Sequence, residues 1–338
     1  MKGLFVKRIC RLFLVGLFIL TGVSVSQAAE AKRIYMVLWN GCEDACRGFL
    51  DYLEDSHENI EVIQRDLNKQ TTKIPRLIAE VKIKKPDLLV TWGTAATLKI
   101  LGTGNGSSVP EYGTLPALFM VVSQPVESGL LPSLASQGRN ITGVIHLVPL
   151  FDQLQYARQL IAFKKLGIIY NSTETNAETT VEQLRQYAAL MNFELLERPV
   201  PLKNKEPSAK SIASLVADLA EKKVDLIYLG PDAFMNANRA ALIETATAFS
   251  IPVFSASEGA VRHDNALFAY VYRYYTVGQM AGKKALKILK EKVQAYDIPV
   301  ETPQRALLVV NMTAAQKMGI YPPFSLLQNA DMVNIPEK

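Results

Sequence analysis

The stretch "KLGIIYNSTETNAETTVEQLRQYAALMNFELLERPV", residues 165–200, decides the fold class. It opens on a short apolar run, "KLGIIY", and passes through the polar turn "NSTETN". A longer segment follows in which Val181, Leu184, Ala188 and Met191 recur at helical spacing, and a second β-rich run, "FELLERPV", closes the stretch. A strand, a helix long enough to cross back and a second strand make the unit from which parallel sheets are built.

The same texture continues in both directions. Towards the N-terminus lie the apolar runs "RIYMVL", "IEVIQRD", "DLLVTW", "ALFMVV" and "NITGVI"; towards the C-terminus lie "VDLIYLG", "IPVFSAS", "ALFAYVYRY" and "ALLVVN". Amphipathic stretches such as "CRGFLDYLED", "FDQLQYARQLIAF", "AKSIASLVADLAEK" and "VGQMAGKKALKILKEK" separate most of them. Near-continuous Val/Ile/Leu runs belong to strands covered on both faces. The pattern therefore predicts an α/β protein of two doubly wound parallel-sheet lobes, one before and one after about residue 145.

The chain has 338 residues and a formal charge of +5. Its first 28 residues carry Lys2, Lys7, Arg8 and Arg11, then the apolar run "LFLVGLFILTGVSV", then small residues before "AE". This is the layout of a secretory signal peptide cleaved near Ala28; the apolar run is short of the roughly 20 residues a membrane span needs. Four bases and no acids leave with residues 1–28, which lowers the formal charge from +5 to +1. A near-neutral mature chain offers no electrostatic case for nucleic acid or an anionic membrane. The expected product is exported and periplasmic, without stable membrane insertion.

In open α/β sheets ligands bind outside the carboxyl ends of the strands. At those ends this chain places Trp39 and Asn40; Trp92, Gly93 and Thr94; Ser123 and Gln124; Asn171 and Ser172; Pro231 and Asp232; and Ser255, Ser257 and Glu258. Free N–H groups at helix starts, with nearby hydroxyls, suit a carboxylate. The same residue types also serve as ordinary N-caps. Their repetition at six strand ends in two lobes points to a cleft.

Other chemistry lacks its residues. The three histidines, His57, His146 and His263, stand at no metal-motif spacing, and "TGNGS" at 103–107 lacks the spacing and lysine of a phosphate loop, which leaves it a surface loop. There is no G-x-S-x-G elbow. No cofactor, metal or enzymatic activity is expected.

Cys42 and Cys46 stand four apart in "WNGCEDAC". Zinc would need more ligands than are local, and a two-thiol racemase would want one cysteine on each side of a cleft. Export to an oxidising space favours pairing. Regular helix geometry opposes it, because side chains at i and i+4 run nearly parallel, so the bond requires an irregular first turn that Gly41 could supply. A disulfide staple is the favoured reading; two free thiols packed on a helix face is the alternative.

With these motifs in place the chain resembles the exported substrate-binding proteins of ABC importers, in the TrpX-like group that includes tryptophan- and tyrosine-binding members. The resemblance is carried in order by "PDLLVTWGTAAT", "ALFMVVSQPVESGLL", "GRNITGV", "KLGIIYNSTETNA", "VDLIYLGPDAFM", "IPVFSASEGAV" and "ALFAYVYRYYTVGQMAGKKALKIL", spanning about residues 33–320. It implies the type I periplasmic-binding fold: two lobes joined by three crossing segments, expected near 144–147, 270–274 and 308–312, closing on ligand by a hinge. The implied division is a signal peptide at 1–28, an N-terminal lobe at 29–145 plus 273–309, and a C-terminal lobe at 146–272 plus 310–338.

The resemblance also implies a ligand-binding set: Trp39, Asn40, Gly93, Thr94, Ser123 and Gln124 from the first lobe, and Tyr170, Asn171, Asp232 and Glu258 from the second. For an amino acid, Thr94, Ser123 and nearby N–H groups would hold the carboxylate, Asp232 or Glu258 the ammonium, and Trp39, Trp92 or Phe234 the side chain. The chain departs from the family pattern at "WNGCEDAC" and at "SQP", where Gln124 replaces an acid. The implied role is a monomeric receptor passing a small molecule, an aromatic or branched amino acid, to an ABC permease in the inner membrane. The alternative is a periplasmic sensory module that presents its ligand-bound state to a membrane kinase or chemoreceptor.

Overall fold

The computed structural model describes residues 31–104, 115–134 and 139–336. The expected leader, residues 1–28, and positions 105–107 of the "TGNGS" loop lie outside the described residues.

The first lobe is built on β1 (Lys32–Leu38), β2 (Ile60–Asp66), β3 (Leu88–Trp92), β4 (Ala117–Val122) and β5 (Ile141–Ile145), all parallel, in the order β2-β1-β3-β4-β5. Strand alternation divides its core. Ile34, Met36 and Leu38 of β1 face α1 (Asp44–Asp55), while Tyr35 and Val37 face α2 (Ile74–Lys84) and α3 (Thr94–Leu101).

The second lobe contains α4 (Leu150–Leu160), β6 (Lys165–Tyr170), α5 (Thr175–Met191) and β7 (Glu194–Pro199), followed by a small hairpin, β8 (Leu202–Lys203) and β9 (Glu206–Pro207). It continues with α6 (Ile212–Glu221), β10 (Leu226–Leu229), α7 (Ala233–Ala237), α8 (Arg239–Ala248), β11 (Val253–Ser255), α9 (Glu258–His263) and β12 (Phe268–Val271). The chain then returns to the first lobe as α10 (Tyr274–Leu289), which packs in the same core as α1. It ends with β13 (Leu307–Asn311), α11 (Met312–Met318), α12 (Phe324–Leu327) and β14 (Asp331–Val333). The second sheet runs β14-β13-β12-β11-β10-β6-β7.

Two details differ from the sequence expectation. The second sheet is mixed, because β13 enters from the other lobe and pairs antiparallel with β12. Since β13 already belongs to this sheet at Leu307, and Glu301 still bridges to Val144 of β5, the third connection runs through 302–306, earlier than the expected 308–312. The other two connections lie between β5 and α4 and between β12 and α10.

The return of α10 depends on close helix contact. A Cβ on Gly278 would sit 2.0 Å from the Ala45 carbonyl oxygen, and one on Gly48 would sit 2.1 Å from the Tyr275 carbonyl oxygen. Glycine on both helices lets the two backbones touch.

Candidate functional site

A cavity of about 460 Å³ opens between the lobes at the carboxyl ends of their strands. That is a size suited to a small organic ligand. Trp39, Asn40, Gly93, Thr94 and Ser123 line it from the first lobe, and Asp232 and Glu258 from the second; Trp92 also faces it.

Four of the expected residues do not line it, among them Phe234, which packs against the core of the second lobe. Gln124 donates its side-chain amide to Gln183 Oε1 at 2.7 Å and so joins the lobes beside the cavity. Tyr170 shares a strand face with Leu166 and Ile168, and that parity turns its ring into the second-lobe core. Asn171 works one step back. Its backbone N–H donates to Asp232 Oδ2 at 2.6 Å, and its side-chain amide donates to Glu174 Oε1 at 3.1 Å.

In the first lobe, Gly93 takes a φ of 85° between β3 and α3, a conformation that favours glycine. No side chain caps α3, so its first N–H groups face the cavity end without a fixed acceptor. Thr94 Oγ1 accepts the Ser123 N–H at 3.0 Å, which leaves the Thr94 hydroxyl proton free to donate. Val121, another lining residue, sits at a bulge where β4 shifts register against β5, with a φ of 55°. A β-branched residue in that region is uncommon, and bulges of this kind re-aim strand ends beside sites.

The second lobe is arranged the opposite way at its helix start. Glu174 accepts the N–H groups of Ala233 and Phe234 at 2.8 and 2.9 Å, and Asp232 Oδ1 accepts that of Met235 at 2.7 Å. The beginning of α7 is therefore already satisfied by two carboxylates of the protein itself. Among the described residues neither carboxylate has a basic partner. Burial, and secondarily the charge of Glu174, pushes the Asp232 pKa up to about 7.

Glu258, expected as the alternative ammonium partner, lines the cavity and, unlike Asp232, has a basic partner. One of its oxygens accepts from Arg262 Nε at 2.9 Å and the other from the Tyr274 backbone N–H at 2.9 Å. Its charge is balanced by Arg262.

Several lining residues escaped sequence reading. Glu43 lies between the two cysteines and faces the cavity; burial raises its pKa, and Arg239, reaching over from the other lobe, lowers it. Arg239 in turn pairs with Asp264 at 2.5 Å. His146, on the first connection, is buried and unprotonated, its pKa pushed down to about 4 by desolvation, and it meets the Tyr274 ring edge-on at 5.4 Å. The only sequence signal for Glu43 was its place in "GCEDAC"; Arg239 and Glu174 looked like ordinary helix-surface charges.

Cys42 and Cys46 form a disulfide with Cα atoms 5.1 Å apart. The bond is compatible with α1 because Cys42 lies outside the helix: Glu43 is the extended N-cap and the helix begins at Asp44. The staple secures the loop that presents Trp39 and Glu43. Among the described residues there is no group of three or more side chains able to hold a metal ion, and no helix long and apolar enough to cross a membrane.

Residues 34–334 match the family model described as ABC transporter substrate binding protein. The chain is 26% identical over 294 residues to the tyrosine-binding protein of Clostridioides difficile (strain R20291), covering 86% of this chain and 78% of that protein. It is similar in fold to a conserved domain protein from Vibrio cholerae O1, with a TM-score of 0.78 at 24% identity over 90% of this chain and 100% of the other. It is also similar to an ABC domain from Streptococcus pneumonia solved in complex with L-Trp, with a TM-score of 0.77 at 22% identity over 90% and 99% of the two chains.

Proposed function

The chain belongs to the ABC transporter substrate-binding protein family, a family of solute receptors and not of enzymes, and from that premise we propose that it is an exported, monomeric receptor that captures an amino acid with an aromatic side chain and delivers it to an ABC permease. The observation that carries the amino-acid reading is the opposed polarity of the two helix starts across the cleft. In the second lobe Glu174 and Asp232 cap α7 without a basic partner among the described residues, so that wall repels a carboxylate and attracts an ammonium. In the first lobe the start of α3 is uncapped and the Thr94 hydroxyl is free, which suits a carboxylate. An α-amino acid carries both groups a bond apart from its side chain and fits that polarity in one orientation only.

Trp39 and Trp92 supply flat apolar walls between these poles, and both line the cavity. The tyrosine-binding relative supports the same choice of ligand. Ligand stabilises the closed arrangement by touching both lobes at once, which is how binding becomes a shape that a permease can read.

The test is thermal unfolding of residues 29–338 against amino acids, nucleosides and sugars. A ligand at a hundred times its dissociation constant adds about 2.7 kcal/mol. L-Tyr or L-Trp is expected to raise the melting temperature, and Glu174→Gln or Asp232→Asn to weaken binding about tenfold or more by calorimetry. A shift with sugars or nucleosides alone would overturn the amino-acid reading.

A further inference from the structure

A second concavity, of about 730 Å³, lies on the face of α10 turned away from α1. Thr276, Met280, Lys283 and Lys287 recur there at helical spacing, and the third connection, Pro303 to Ala306, forms the opposite wall. Its charged lining is Arg273, Lys283, Lys284, Lys287 and Arg305 against Glu301. So uneven a lining does not follow from overall basicity, because residues 29–338 carry a formal charge of only +1.

Two of these cations have committed partners. The Lys284 ammonium is buried, donates to the Pro299 carbonyl at 2.5 Å and pairs with Glu301 at 2.6 Å. Arg273 pairs with Asp331 at 2.9 Å. Lys283, Lys287 and Arg305 have no acidic partner among the described residues. The Glu301 carboxyl is held below its ordinary range chiefly by its hydrogen bond to Lys284, and burial is the main cause that lowers the Lys284 pKa; the charges of Lys287 and Lys283 add to both in the same direction. Like charges are thus concentrated around a hollow, at an electrostatic cost that an anion in the hollow would relieve.

We propose that this groove between α10 and the third connection is a binding site for a small multivalent anion, a polyphosphate or a polycarboxylate, held by Lys283, Lys287 and Arg305. Lys284 and Glu301 form the floor that keeps the two walls in register. The site lies on α10 and the third connection and shares no lining residue with the amino-acid cleft. It stands independently of the ligand proposed for that cleft.

Pyrophosphate followed by phosphorus NMR, and citrate followed by calorimetry, test it on residues 29–338 at fixed ionic strength. Saturable one-to-one binding of either anion is expected; which of the two binds identifies the source class. The variant K283Q/K287Q/R305Q should weaken that binding about tenfold or more. The variant K283R/K287R, which keeps the charge, should retain it and shows that the helix face tolerates substitution. A control triple on the distant exposed surface, K203Q/K205Q/K210Q, should leave it unchanged. Absence of saturable binding by both anions at millimolar concentration, or equal weakening in the two triple variants, would overturn the proposal.

Discussion

Glu258 Oε1 accepts the backbone N–H of Tyr274 at 2.9 Å, so a carboxylate on the wall of the cleft holds the first residue of α10 just past the second connection. The other oxygen pairs with Arg262, which also reaches Asp331 at 2.5 Å. Cleft, connection and C-terminal strand are joined through one acid.

Removing that acid should cost stability before it costs affinity. Glu258→Ala leaves a backbone donor unsatisfied and one side of Arg262 uncompensated, an expected loss of about 2–4 kcal/mol. Glu258→Gln keeps an acceptor for Tyr274 and should lose only about 1 kcal/mol. Urea unfolding without ligand measures both. Equal losses would show that charge, and not the backbone contact, dominates.

Asp232 should make amino-acid binding depend on pH. Its folded-state pKa lies near 7, above the ordinary carboxylate value, because burial and then Glu174 disfavour the ionised form. The folded state therefore holds more protons than the unfolded state between about pH 4 and pH 7, and this group's contribution to stability falls as pH rises through that window. A ligand ammonium favours the ionised form, so affinity should climb from about pH 5.5 to 7.5, at most about tenfold per unit, with a proton released on binding below pH 7. Calorimetry in buffers of different ionisation enthalpy reads that proton directly. Asp232→Asn should flatten the profile; a profile that falls with pH would contradict the ammonium assignment.

The positions of the strands were legible because fully buried strands advertise themselves as Val/Ile/Leu runs. The rule that ligands gather at strand ends then located Trp39, Thr94, Ser123 and Asp232 on the cavity wall. What remained hidden depended on tertiary detail. Tyr170 looked like a strand-end residue, yet its place on one face of β6 sends it into the core. Glu174 reads as a helix-surface acid until α7 folds against it and supplies two N–H donors. The bulge that places Val121 at the cleft arises from a register shift between neighbouring strands, and register is a property of the pair.

The disulfide should matter more to the cleft than its small loop suggests. Closing the short loop from Cys42 to Cys46 contributes about 2 kcal/mol on a chain-entropy account. The loop is further tied by the Gly41 N–H donating to Asp66 Oδ2 at 2.9 Å and the Lys69 N–H donating to the Trp39 carbonyl at 2.9 Å. Reduction, or a Cys42→Ser/Cys46→Ser variant, is expected to lower the melting temperature modestly and to speed ligand dissociation by freeing Trp39 and Glu43. Stopped-flow dissociation with and without reductant checks this. An unchanged rate would show that the two hydrogen bonds alone hold the loop.

Gly278 offers the sharpest test of how the lobes are coupled. An alanine Cβ there would lie 2.0 Å from the Ala45 carbonyl oxygen and 2.7 Å from the Phe49 nitrogen. These are backbone atoms of α1, so no side-chain rotation relieves the overlap, and α10 must move away from α1. Overpacking of this kind costs about 1–3 kcal/mol or more, and here it also displaces the helix that directly follows the second connection. Gly278→Ala should therefore lower stability and weaken ligand binding together. Gly259→Ala is the matched control for stability alone, since a Cβ there meets only the Arg239 guanidinium at 3.9 Å, an ordinary contact, while Gly259 itself lines the cleft. Thermal unfolding of the two variants, with calorimetry of Gly278→Ala against the unaltered protein, separates the cases. A Gly278→Ala protein with unaltered stability would mean that α1 and α10 do not approach as closely as the glycines on both faces allow.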